Sequence, residues 1–227
     1  MRKIDKSPNI PATLVDAPIP TSPAKVKKDI YKADDVRKQL LEDQHNKCAY
    51  CESRIPKEYN DVEHYRPKSK YYWLGHDWNN LLYSCPLCNR SYKNNDFPLL
   101  NEANRVTEPG GNLAIEEPLI INPSIDEPTL HIRFNRHIMV GITAKGKKTI
   151  EMFHLNEREV LVQDREILYE SYKRKKEQIE KMQKLLKSPN LTDDFRPYIN
   201  DTITFLMKSI DQDRALDKPH SGILVNQ

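Results

Sequence analysis

The chain has 227 residues, enough for one domain or two small ones, with 37% hydrophobic and 30% charged residues and a net charge of +3. A mean hydropathy of −0.78 describes a polar-surfaced, non-fibrous protein, and a charge this small does not by itself point to nucleic acid. No apolar run approaches membrane-spanning length and the opening "MRKIDKSPNIPATLVDAPIP" lacks an apolar core segment, so neither an anchor nor a signal peptide is expected and a cytoplasmic location is the default.

Residues 1 to about 30 are Pro-rich and aperiodic, which predicts an extended arm, either packed or disordered. Between Ala33 and about His45, Val36, Leu40 and Leu41 recur at helical spacing. From "NLAIEEPLIINP" to "TLHIRFNRHIMVGIT" the pattern changes to strands, with Leu130, Ile132 and Phe134 on one buried face and a turn near Asn135-Arg136. Asn156 with Glu159 three residues on forms a capping-box pattern for a helix over about 157–187. A second helix carries Ile199, Ile203, Leu206 and Ile210 on one stripe and completes a helical hairpin. The expected organisation is an arm and helix over 1–45, a chemically unusual core over 46–100, a β-rich extension over 101–155 and a helical region over 156–227, together an α+β chain.

The core holds all four cysteines. Cys48 and Cys51 are spaced C-x2-C, as are Cys85 and Cys88, and two such turns can bring four thiolates to one centre. A closed shell of four sulfurs suits structural zinc, with no open position for water, although four thiolates can also hold an iron–sulfur cluster. In a reducing cytosol, disulfides are not expected. Between and after the pairs stand "VEHYRPK", "WNNLLYSC" and "CNRSYK", read as a strand over Val62–Tyr65, a loop, a strand over Leu81–Ser84 and a helix opened by Cys85-Pro86.

This ordered set resembles the HNH nucleases, whose core is the ββα-metal fold. Glu63-His64 stands at the acid–His element, Asn80 at the middle Asn, and Asn89 at the last position. The resemblance implies a hydrolase of nucleic-acid phosphodiesters. His64, as a neutral imidazole with an ordinary value near ~6.5, takes a proton from water. Glu63 and Asn89 hold a catalytic Mg2+ or Mn2+, and Asn80 holds the His64 loop. The Glu63 and Asn89 positions are departures from the commoner Asp and His. Because base and acid are neighbours on a strand, irregular backbone is expected near Glu63 and His64. Arg66, Lys68, Arg90 and Lys93 are candidate phosphate contacts, each equally able to be a solvated charge; Lys93 leads because it follows Asn89 by one helical turn. For His45, His76, His131, His137, His154 and His220 a structural role is the simpler reading, and among them His76, close to Asn80, is the one to test.

A narrower resemblance covers roughly residues 30–170. "KCAYCE", "WNNLLYSCPLCN", "FPLLNE", "PLIINPSIDEP" and "TIEMFHLN" are similar to the HNH subunits of Septu anti-phage systems, the PtuB family, which also includes retron-associated HNH proteins. It implies an ABC/SMC-like ATPase partner, PtuA. The alternative is a non-catalytic zinc-clamped module that binds nucleic acid or a partner. DNA is the first expectation for the substrate and RNA the second, and no residue distinguishes them. The basic stretch "SYKRKKEQIEKMQK" reads as a solvated helix face, with nucleic acid or a partner as further options.

Overall fold

A computed structural model describes residues 1–56 and 61–225. The N-terminal arm is packed against the rest of the chain. It carries two short helices, α1 (Ala12–Val15) and α2 (Lys28–Tyr31), before α3 (Asp34–Asp43). Ile4, Leu14, Val26 and Tyr31 are buried, which places them in the main core. Lys6 fastens the arm: its Nζ donates to the carbonyls of Trp78 and Leu81 and lies 3.7 Å from the centre of the Trp78 ring. Helix α3 buries Val36 and Leu40, four residues apart on one face.

Strands β1 (Asp61–His64) and β2 (Leu81–Ser84) form an antiparallel pair, with Glu63 opposite Leu82 and His64 opposite Leu81. Both are buried along their whole length, so the pair is an internal element. The first strand runs one residue earlier than the sequence suggests, and its register is unbroken through Glu63 and His64. The expected irregularity lies just beyond them, because Pro67 cannot donate to a ladder and restricts Arg66. Gln44 closes the outer edge of β2 as a third strand would. Its Oε1 accepts from Tyr83 N (2.7 Å) and its Nε2 donates to Tyr83 O (2.7 Å) and Lys47 O (3.1 Å). After β2 the chain enters a seven-residue helix, Leu87–Lys93, with Pro86 before its first turn. It is wound wide, as a π-helix, and Asn94 N closes it by donating to Asn89 O at 2.7 Å.

Downstream, β3 (Ile132–Asn135) and β4 (Ile138–Gly141) make one hairpin around an Arg136-His137 turn, Arg136 taking a positive φ of 57°. Ile132 is buried, but Leu130 is 66% exposed because it belongs to a tight turn before the strand. The expected strands over 112–123 reduce to a single bridge between Leu99 and Pro118. Helix α4 (Ala144–Met152) follows, which hydrophobic spacing in "AKGKKTIEM" does not announce. Gly146 there passes so close to the residue before β3 that an added Cβ would lie 1.9 Å from His131 O.

Helices α5 (Glu159–Leu186) and α6 (Arg196–Arg214) pack together through Tyr172, Ile179, Leu206 and Ile210. The expected capping box does not form: Asn156 instead pairs with both backbone groups of Met139 on β4, at 3.0 and 2.8 Å, and Arg158 takes the cap position. A buried strand edge competes for the same side-chain amide and wins. Most lysines of the basic stretch face outward on α5 while Tyr172 and Ile179 face in. Among the described residues no helix is long and apolar enough to cross a membrane.

Gln44→Ala removes three hydrogen bonds to buried backbone. It should cost about 2 kcal/mol and lower the melting temperature by several degrees. A thermal melt unchanged within a degree would contradict the edge role.

Candidate active site and metal centre

The four cysteine sulfurs lie within 4.8 Å of one another, a group able to hold one metal ion. The first cysteine turn docks on β2 through Ala49 N to Tyr83 O at 3.0 Å. The second follows β2 directly and leads into the Leu87–Lys93 helix. Cys48, Cys51 and Cys88 are buried and Cys85 is half-buried. Two backbone N–H groups aim at sulfur, Cys85 N at Cys48 Sγ (3.4 Å) and Cys88 N at Cys85 Sγ (3.5 Å). Arg158 Nη1, just before α5, donates to Cys88 Sγ at 3.4 Å. Although burial works against it, the neighbouring Cys51 and Cys88 sulfurs push the Arg158 guanidinium above its ordinary range. Four converging sulfurs that receive N–H donors and a cation fit a tetrathiolate metal site.

Glu63, His64 and Asn89 line one cavity of about 470 Å³, next to the sulfur cluster along the chain. All four residues of β1, Asp61 to His64, line this cavity, so neighbouring strand positions serve one site. Glu63 is held by Lys93 from the motif helix, whereas His64 is held by Gly75 and the ring of Tyr31. The ring nitrogen Nε2 of His64 lies 3.0 Å from Gly75 O. A carbonyl only accepts, so Nε2 carries the proton and Nδ1 keeps the lone pair. Burial pushes His64 down from its ordinary value to about 3, well below the near-neutral value expected from composition alone. The imidazole is therefore neutral at physiological pH. Glu63 moves the other way: burial raises its carboxyl against the pull of Lys93.

The Asn80 side chain hydrogen-bonds to backbone rather than to the His64 ring. Its Oδ1 accepts from Arg66 N (2.7 Å), and its Nδ2 donates to Arg66 O (3.0 Å) and Leu74 O (3.1 Å). It staples the chain leaving β1 to the segment whose next residue, Gly75, accepts from His64.

The basic residues divide. Lys68 and Arg90 line the cavity, although Arg90 makes two 2.6 Å hydrogen bonds to Asp61. Lys93, the leading surface candidate from sequence, is fully buried: its Nζ lies 2.6 Å from Glu63 Oε1 and donates to His64 O at 2.9 Å. Arg66 is drawn away to the buried Glu116 at 2.9 Å. In both cases a buried carboxylate has to be neutralised, and the nearest cation is taken from the surface. Two cavity cations that sequence reasoning missed, Lys28 and Lys32, come from α2 and the residue after it. Tyr31 was missed as well; it lies outside any motif and gives no local signal. His76 proves structural, its Nδ1–H donating to Pro18 O (2.9 Å) and its Nε2 accepting from Lys27 N (3.0 Å).

The HNH endonuclease family model matches residues 48–95, from the first cysteine to the cavity rim. The chain carries an HNH endonuclease domain. The chain is 38% identical over 176 residues to the Septu protein PtuB of Bacillus mycoides (strain KBAB4), covering 70% of this chain and 59% of that protein. The Septu protein PtuB of Bacillus thuringiensis is 33% identical over 167 residues, 72% of this chain and 58% of that one. The Septu protein PtuA of Bacillus mycoides (strain KBAB4) is 29% identical over 140 residues, 56% of this chain but 20% of that protein. The chain thus spans somewhat under two thirds of the length of the two PtuB proteins.

Arg158→Met should speed loss of cysteine-bound metal to a colorimetric chelator by roughly tenfold or more, with helicity retained. Release at the wild-type rate would show that the guanidinium does not support the centre. A His64 value below its unfolded one means that the unfolded chain binds the proton more readily. Stability from this residue is therefore full above pH 6.5 and lost as pH falls towards about 3. In urea melts across that window, His64→Ala should flatten the acid-side loss; an identical slope in both proteins would refute the buried neutral imidazole.

Proposed function

We propose that this chain is a metal-dependent endonuclease that hydrolyses nucleic-acid phosphodiesters, the nuclease subunit of an anti-phage defence complex. The observation that carries the reading is the shared cavity of Glu63, His64 and Asn89 within the HNH-matching segment. Water lies at Nδ1 of the neutral His64, which takes its proton as the oxygen attacks phosphorus and the bond to the leaving ester oxygen breaks. An anionic phosphate in the cavity favours the protonated imidazole and so raises its basicity when substrate is present. Gly75 and Asn80 keep the ring oriented. Glu63 and Asn89 are the hard oxygen donors for Mg2+ or Mn2+, which when bound supplies Lewis-acid stabilisation of the leaving oxygen. Lys68 and Arg90, with Lys28 and Lys32, draw in the phosphate backbone. The four cysteines hold a structural zinc.

The likeness to PtuB proteins supports a Septu-type assembly, with an ABC/SMC-like ATPase of the PtuA kind as partner. A protein named PtuA that itself contains a segment similar to this chain supports the same pairing. One observation favours a rival reading, a non-catalytic zinc-clamped binding module: an ammonium, that of Lys93, already sits on Glu63.

The two readings part in a digestion assay on double-stranded DNA, single-stranded DNA and tRNA, with and without the ATPase. His64→Ala should lower cleavage by about 100-fold or more while fold and zinc content persist, and Cys85→Ser should lower zinc content and melting temperature. Undiminished cleavage by His64→Ala would sink the assigned base, and absence of cleavage in every arm would favour the binding module.

A further inference from the structure

We propose that the Tyr31 hydroxyl, held by Lys68, is a further catalytic group, which donates a hydrogen bond to a non-bridging oxygen of the scissile phosphodiester beside His64. The inference rests on the nuclease reading above. Tyr31 lies outside the HNH-matching segment, on α2 of the arm, yet it lines the same cavity as Glu63, His64 and Asn89. Its ring stands edge-on to His64, with centroids 4.6 Å apart and planes at 72°. Lys68 Nζ donates to the Tyr31 hydroxyl oxygen at 2.9 Å and lies 4.7 Å from the ring centre. An ammonium has only donors, so Tyr31 is the acceptor in that bond and its own proton remains to be given. Among the described residues no acceptor takes that proton. A cation on a phenol oxygen also makes the phenol a stronger donor. What the cavity is left to offer is an O–H on the ring that packs edge-on against the base, backed by a positive charge, the arrangement that stabilises charge gathering on phosphate oxygens as water attacks.

The arm is held in place for this. His76 accepts from Lys27 N immediately before α2 and donates to Pro18 O. Val26 packs so closely on Gly75 that an added Cβ there would lie 2.5 Å from Val26 Cγ1. Gly75 is also the residue whose carbonyl orients His64. Tyr31 and the base are therefore referenced to one short stretch of backbone, a fixed relation that a catalytic donor needs.

The test compares Tyr31→Phe, Lys68→Met, the double variant and His64→Ala in the full chain with its ATPase. Single-turnover cleavage is measured beside binding of a short fluorescent single-stranded DNA without added divalent cation. Tyr31→Phe keeps the ring against His64, so fold and binding should stay near wild type while the cleavage rate falls roughly 100-fold. Lys68→Met should lose a similar factor and bind more weakly. The double variant should be little slower than Lys68→Met, because the two groups act as one unit. If Tyr31→Phe and Lys68→Met cleave at the wild-type rate while His64→Ala is inactive, this proposal fails and the nuclease reading stands. If wild type binds but does not cleave any substrate, the nuclease reading fails and takes this proposal with it.

Discussion

Everything in the cavity depends on four sulfur atoms from two distant turns meeting in one place. Thiolates at this separation repel one another, and a cation at their centre would remove that repulsion, so binding of a metal here would be coupled to the folding of this region. Cys85 follows directly from β2, and Cys88 sits in the wide helix one residue before Asn89. The clamp therefore sets where that helix begins and which of its residues meet β1. Asn89 reaches the cavity, and Lys93 reaches the carboxylate of Glu63, because the sulfur cluster fixes the helix start.

A second constraint organises the charges. Asp61, Glu63 and Glu116 are all buried, and each is met by at least one cation: Arg90 and Lys32, Lys93, and Arg66 respectively. A buried carboxylate without a partner is costly enough that these pairings override the preference of long basic side chains for water. The consequence for function is selective. Two of the basic residues flanking the motif are used up internally, while the cavity takes its positive character from Lys28, Lys32 and Lys68 as well as Arg90.

The arm and the motif thus form one site. A Pro-rich segment has few backbone donors to satisfy and can lie against a surface without joining a sheet. Here it is fastened by Lys6 on two carbonyls and by His76 on Lys27, and it delivers α2 to the rim of the cavity. The side that an isolated ββα unit would leave open is walled by Tyr31.

What the residues alone determined is what local spacing can encode. Two C-x2-C turns specify a four-sulfur cluster, the order of Glu63-His64, Asn80 and Asn89 specifies the motif, and the stripe through Leu206 and Ile210 specifies a packed helix. Each of these depends on a period or an interval along the chain. The folded structure decided the rest. Lys93 is internal rather than phosphate-facing, Asn156 serves β4 rather than a helix cap, the expected β region is a single hairpin, and α2 supplies part of the wall of the cavity that Glu63, His64 and Asn89 share. The partner of a flexible ammonium or amide is chosen by which unmet buried group lies within a few ångströms, and that proximity exists only after segments far apart in sequence have packed together.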